Sequence, residues 1–276
     1  MTMTTDDRNA ALDQSALNEV RGPWRRIEVV AETGSTNADL IARAATEDVD
    51  GLVLIAEHQT AGRGRNGRSW SAVPGTQVTM SVGIRADTIP NEAWGWIPLV
   101  AGLAVVDAIE TTTDVIAGLK WPNDVLARPP ARGKLAGILA EVAAPAATIV
   151  VGIGLNVSLQ ADELPDPAAT SLVILGGRSP NRAAVIEALL DGLGRRIAGL
   201  RTSRGADATL VDEYRARSLT IGSRVRAMLP GGRNVVGMAV AIDDQGRLRI
   251  DTEDGPVVVS AGDIVHLRPV DDDGSG

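Results

Sequence analysis

Seven consecutive residues, Gly62-Arg63-Gly64-Arg65-Asn66-Gly67-Arg68, contain three glycines and three arginines. Glycines let main-chain N–H groups come close to an anion, and arginines add fixed charge and forked donors for phosphate or carboxylate. The segment also spells G-x-G-x-x-G. A dinucleotide site needs a helix that starts at the second or third glycine and points its N-terminus at a pyrophosphate. Here the chain runs on through Ser69-Trp70-Ser71 to Pro74-Gly75 and a strand, which argues against a Rossmann site. No H-R-D, D-F-G or Walker A sequence occurs. Three like charges so close together repel, which predicts a loop that stays mobile until an anion arrives and then closes as a lid. A solvated basic loop, or an Arg-Gly segment that contacts RNA, fits the same residues.

Three further segments carry polar groups in unusual places. Lys120-Trp121-Pro122-Asn123-Asp124 sets a cation, an aromatic ring, an amide and a carboxylate around a rigid turn. Lys134 opens the run Leu135-Ala136-Gly137-Ile138-Leu139, where strand alternation puts it on one face with Ala136 and Ile138. A lysine there either snorkels to solvent or meets an anionic ligand. Asn156 ends the apolar run Gly152-Ile153-Gly154-Leu155, as a strand-end turn residue or a ligand contact.

The elements that must position these groups follow from periodicity. Strands are expected at 27–31, 52–56, 78–84, 135–142 and 148–157, with Ala144-Pro145-Ala146 as the hairpin between the last two. Gly34-Ser35-Thr36-Asn37 offers caps to a helix over 38–45. The stretch 94–109 is apolar almost all round and reads as a buried helix; 181–200 and 207–217 are amphipathic helices. From residue 219 short β segments appear at 224–229, 235–242, 248–251, 257–260 and 264–267, divided by glycine- and aspartate-rich turns. That spacing predicts a small all-β barrel. The expected organisation is a tail over 1–24 with one short helix, a catalytic domain over 25–218, a barrel over 219–269 and an acidic tail over 270–276.

Composition narrows the function. The 276 residues carry 27 Lys and Arg against 35 Asp and Glu, a net charge of −8, unlike a surface built for nucleic-acid phosphates. Cysteine is absent, which excludes disulfides and thiolate metal sites. Two histidines far apart leave no histidine-rich metal site, and no metal ligands are identified. We read no apolar run of membrane-spanning length and no signal peptide, so a soluble cytoplasmic chain with no membrane partner is expected.

Taken in order, Gly34-Ser35-Thr36-Asn37, Glu57-His58-Gln59-Thr60-Ala61-Gly62-Arg63-Gly64-Arg65, Lys120-Trp121-Pro122-Asn123-Asp124, Lys134 to Leu139 and Gly152 to Asn156 closely resemble bacterial biotin–protein ligases. Ala169-Thr170-Ser171-Leu172 fits as well, and the resemblance covers about residues 25–268. It implies an α+β catalytic domain like class II synthetases and lipoate ligases, with a mixed sheet and flanking helices, followed by a C-terminal SH3-like barrel. It implies biotin and ATP as substrates, Mg²⁺, and a biotin carboxyl carrier domain of an acyl-CoA carboxylase as partner. By resemblance, Ser35, Thr36, Asn37, Gln59, Gly62, Arg63, Gly64, Arg65 and Lys134 face biotin. Arg68, Trp70, Lys120, Asn123, Asp124 and Asn156 serve the nucleotide, with Trp70 covering the adenine; Lys134 and Arg65 are catalytic. Some family members carry an N-terminal DNA-binding domain. Only about 25 residues precede the first strand here, too few for such a core, so no DNA binding is expected. A lipoate–protein ligase shares the fold, but the Gly-Arg-Gly-Arg loop and Lys-Trp-Pro-Asn-Asp favour biotin. A non-catalytic Arg-Gly nucleic-acid binder would show itself by salt-dependent binding.

Overall fold

A computed structural model describes residues 11–269, apart from 18, 21, 72, 145–146, 177–180 and 265. The expected acidic tail, the first ten residues and most of the Ala144-Pro145-Ala146 hairpin lie outside the described residues.

The larger sheet has seven strands in the order β1-β2-β3-β7-β6-β5-β4. They are β1 (Arg26–Thr33), β2 (Leu52–Gln59), β3 (Gln77–Arg85), β4 (Ala117–Lys120), β5 (Asp124–Ala127), β6 (Lys134–Ala143) and β7 (Thr148–Asn156). Only β1 and β2 run parallel; the other neighbours are antiparallel. The short helix α1 (Gln14–Leu17) confirms the expected helix in the tail. From it the Gln14 amide brackets the edge strand, donating to the Ile27 carbonyl and accepting from the Val29 N–H. This gives a parallel edge hydrogen bonds it would otherwise lack.

Helices cover both faces. On one lies α2 (Thr36–Arg43), which crosses from β1 to β2. On the other lies α3 (Trp96–Thr112), with α4 (Arg182–Ser203) packed behind it and α5 (Ala208–Arg217) alongside. Helix α3 is buried on nearly every side because the sheet takes one flank and α4 the other, as its all-apolar sequence predicts. With the turn before it, Asn91–Thr112 is 22 residues long and apolar enough to cross a membrane, which corrects our reading of the sequence. The span is mostly buried, because its apolar length serves the core.

The C-terminal strands β8 (Arg224–Met228), β9 (Asn234–Ile242), β10 (Leu248–Thr252), β11 (Gly255–Val259) and β12 (His266–Pro269) form an antiparallel sheet in the order β11-β10-β9-β8-β12. Among the described residues its end strands are not paired, so the expected barrel is present as an unclosed five-stranded sheet. The last strand starts later than its apolar pattern suggests, because residues 261–263 form a 3₁₀ turn. The core runs unbroken from α3 into this sheet. At the junction the Trp96 and Trp121 indoles donate to the carbonyls of Asp243 and Gly246 at 3.0 and 3.1 Å. Gly246 has φ +77°, and a Cβ there would lie 2.6 Å from the Gly95 carbonyl carbon, so the backbones touch.

Candidate functional site

The α2 face of the large sheet holds a cleft, and four segments build its wall. The first is the N-terminal turn of α2. Ser35 caps the helix, which fixes Thr36 and Asn37 against the sheet, nearly fully buried. The Thr36 N–H and hydroxyl both donate to Gln59 Oε1, at 2.8 and 2.9 Å, and Ser81 Oγ lies 2.7 Å from the same hydroxyl. Ser81 donates to Asn37 Oδ1 at 2.6 Å, and Asn37 Nδ2 donates to Leu139 O and Glu141 Oε2. Gln59 therefore turns its Nε2 toward the loop, where a Cβ on Gly62 would lie 3.0 Å away. This end of the cleft is polar, uncharged and orientationally fixed.

The second segment is the glycine–arginine loop. It closes on itself as a narrow hairpin, through Trp70 N to Gly62 O at 2.8 Å and Gly64 N to Arg68 O at 2.7 Å. The tip takes left-handed backbone at Asn66 and Gly67. Gly62 is required for another reason: a Cβ would sit 2.4 Å from the Trp70 carbonyl oxygen. The arginines diverge rather than crowd. Arg63 pairs with Glu141 at 2.8 Å. Arg65 donates to Asn123 Oδ1 at 3.2 Å and to the carbonyls of Ala261 and Ile264. Protein acceptors thus separate the charges of Arg63 and Arg65. Burial lowers the Arg65 guanidinium below its ordinary pKa, with Asp124 opposing.

The third segment is the β4–β5 turn, which places Lys120, Asn123 and Asp124 on the wall. Asn123 is held at both ends, donating to Ile138 O while accepting from Arg65. Burial lowers Lys120, with the Asp124 carboxylate opposing and Lys134 and Arg68 adding to the effect. The fourth is the start of β6. Lys134 Nζ meets Asp124 Oδ1 at 2.6 Å and lies 5.7 Å from the centre of the Trp70 ring. It faces the cleft, neither snorkelling away nor sharing a face with Ala136 and Ile138. A register shift against β5 reverses the alternation, so Lys134 reaches over Gly137 while Ala136 and Ile138 are buried in the core.

Trp70 lies on the cleft floor. A Cβ on Gly154 would come within 2.4 Å of its ring, and one on Gly137 within 3.2 Å, so these glycines make the shelf it rests on. Its indole nitrogen is buried with no hydrogen-bond partner.

Of the residues singled out from sequence, all but two line this cleft. Gly62 sits beneath Trp70. Asn156 is buried behind Lys134, not on the wall: its amide donates to Thr170 O and Lys134 O and accepts from Gln77. The nucleotide role that the resemblance implies for Asn156 would therefore be reached from behind the wall. Ser81 and Glu141 escaped the sequence reading. For Glu141 the only signal was a single charged residue within the expected strand 135–142; Ser81 shares its strand with Thr79 and gave none.

Comparison with known proteins gives a consistent picture. Residues 30–156 match the model of the Biotin/lipoate A/B protein ligase family, and residues 220–267 match the Biotin protein ligase C terminal domain. The chain is 55% identical to a biotin--[acetyl-CoA-carboxylase] ligase of Mycobacterium tuberculosis, over 96% of this chain and 100% of that protein. It is 34% identical to a bifunctional ligase/repressor BirA of Bacillus spizizenii, over 86% of this chain and 72% of the relative. Among solved structures, biotin protein ligase from Aquifex aeolicus in complex with biotin and ATP superposes with a TM-score of 0.76 at 27% identity, covering 90% of this chain and 100% of that one.

Proposed function

The chain belongs to the biotin protein ligase family, and from that premise we propose how its cleft joins biotin to a carrier lysine. The overall reaction is ATP-dependent ligation of biotin to protein. In the first half, a biotin carboxylate oxygen attacks the α-phosphorus of ATP, and the bond to pyrophosphate breaks. In the second, the acceptor lysine amine attacks the carbonyl of biotinoyl-5'-AMP and AMP leaves.

One observation carries the assignment of roles. The cleft has a neutral amide-and-hydroxyl end at Ser35, Thr36, Asn37 and Gln59, and a cationic end at Arg65, Arg68, Lys120 and Lys134, in a chain of net charge −8. A neutral ureido ring suits the first end; a carboxylate beside a triphosphate suits the second. Two anions must be brought together, and Lys134 with Arg65 offsets their repulsion and the charge that grows in the transition state. Asp124 aims the Lys134 ammonium before substrate arrives. Arg63 and Gly64, at the loop's near side, close over the adenylate and keep water from the anhydride. Trp70 must leave the shelf on Gly137 and Gly154 for a ligand to use it, and the unpartnered indole N–H is then free to meet a ligand acceptor.

Among the described residues no cluster of three metal-binding side chains occurs. The donors at the cationic end, Asp124 and Asn123, fit Mg²⁺, which takes one or two protein ligands and draws the rest from phosphates and water. When bound, the ion neutralises the leaving pyrophosphate. We assign catalysis to residues 25–218, with the sheet of 219–269 as a cover that meets the loop through Ala261 and Ile264. We assign the biotin carboxyl carrier domain of an acyl-CoA carboxylase as the acceptor and the cytoplasm as the compartment, a reading supported by the likeness to bacterial biotin ligases.

The test is ATP–pyrophosphate exchange by purified protein with biotin, with lipoate and with neither acid. Exchange with biotin alone is expected. Exchange with lipoate instead would keep the chemistry and overturn the substrate.

A further inference from the structure

Glu141 is the only acid on β6. Its carboxylate accepts from Arg63 Nη2 on both oxygens, at 3.0 and 2.8 Å, and from Asn37 Nδ2 at 2.8 Å. Arg63 belongs to the loop over the cleft; Asn37 belongs to the α2 turn beneath it. The Asn37 amide is set from its other end by Ser81. It also fills the space over Gly152, where a Cβ would lie 2.3 Å from Asn37 Oδ1. One carboxylate thus fixes both a lid residue and a floor residue, although Glu141 itself does not line the cleft.

We propose that Glu141 is a positioning residue that couples the lid to the biotin-facing turn: it orients the Asn37 amide and latches Arg63 over the cleft. This rests on reading the cleft as the biotin site. The ion pair is partly exposed, 44% for Arg63 and 30% for Glu141. Such a pair is weak enough to open for a substrate and strong enough to bias the loop closed. The two functions of the carboxylate separate chemically. Glutamine at this position still accepts from Asn37 but loses the charge that holds Arg63; alanine loses both.

The experiment compares wild type, Glu141→Gln and Glu141→Ala in two measurements. Ligand-free protein is digested briefly with trypsin, which cuts after the loop arginines. Cleavage there is expected to be about threefold faster in both variants, the size of a partly exposed ion pair. In biotin-dependent exchange, Glu141→Gln should keep the wild-type KM for biotin. Glu141→Ala should raise it about fivefold with kcat nearly unchanged, as for the loss of one ordinary hydrogen bond from a misoriented Asn37 amide. Both variants should also leak adenylate, read as labelling of stray lysines. Wild-type digestion of Glu141→Gln, or a wild-type KM in Glu141→Ala, overturns the proposal. So does a fall in kcat that tracks a fall in Tm, since that marks a structural role. A wild-type chain silent with biotin would instead sink the functional reading, and the digestion would still decide whether the latch exists.

Discussion

Two of the contacts between the small sheet and the rest of the chain use one kind of bond with opposite consequences. At the back, the neutral indoles of Trp96 and Trp121, both essentially fully buried, donate to turn carbonyls beside the Gly95–Gly246 backbone contact. At the front, the Arg65 guanidinium and the Asn66 amide donate to the carbonyls of Ala261 and Ile264. The rear bonds sit in a closed apolar contact that no ligand can replace. The front bonds offer a cation only peptide dipoles, and a phosphate or carboxylate is a stronger partner for it. The rear contact is therefore the fixed one, and in the proposed function the front one is the contact that substrate exchanges.

The largest expected effect tests the rear contact. Trp121→Ala should cost about 3–5 kcal/mol of stability, from the lost ring and its cavity, read by denaturant unfolding. A loss near zero would mean the small sheet is only loosely attached. Next, Lys134→Ala should lower adenylate formation about a hundredfold to a thousandfold while stability barely changes, measured as pyrophosphate exchange beside Tm. A normal burst of adenylate in that variant would remove Lys134 from the chemistry. Arg65→Gly should cost only about 1–2 kcal/mol of stability, for the hydrogen bonds to carbonyls. It should also release adenylate to label unrelated lysines, and a variant as selective as wild type would count against an exchangeable front contact.

The smallest effect concerns charge at the front. Burial holds Lys120 below the ordinary lysine range, so exchange should fall at an alkaline pH where free lysine is still protonated. In that window the unfolded chain binds more protons at this site than the folded one. The contribution of Lys120 to stability therefore rises with pH while activity falls. Lys120→Arg keeps its charge and should move the alkaline limb upward. An unmoved limb would assign it to another group.

The density of glycine and arginine in residues 62–68 singled out the loop, and the structure places it on the cleft. The neutral end of the cleft was legible only through resemblance, since Ser35, Thr36, Asn37 and Gln59 are ordinary polar residues until α2 buries them against the sheet. Asn156, singled out by the same motif order, lies behind the wall with its amide on Gln77, Thr170 and Lys134.

Local pattern alone determined the longer strands, the helices, the apolar α3 and the change to short β segments after residue 218, because burial periodicity and turn residues are encoded within a few positions; the four-residue strands β4 and β5 were too short to show a period and read only as a turn. Only the tertiary structure decided which face Lys134 occupies, since one register shift against β5 reverses the alternation. It alone decided that Arg63 is held by Glu141, 78 positions away, and Arg65 by the carbonyls of Ala261 and Ile264, 196 and 199 positions away. Such partners depend on long-range register and on main-chain groups, which every residue carries and no sequence pattern distinguishes.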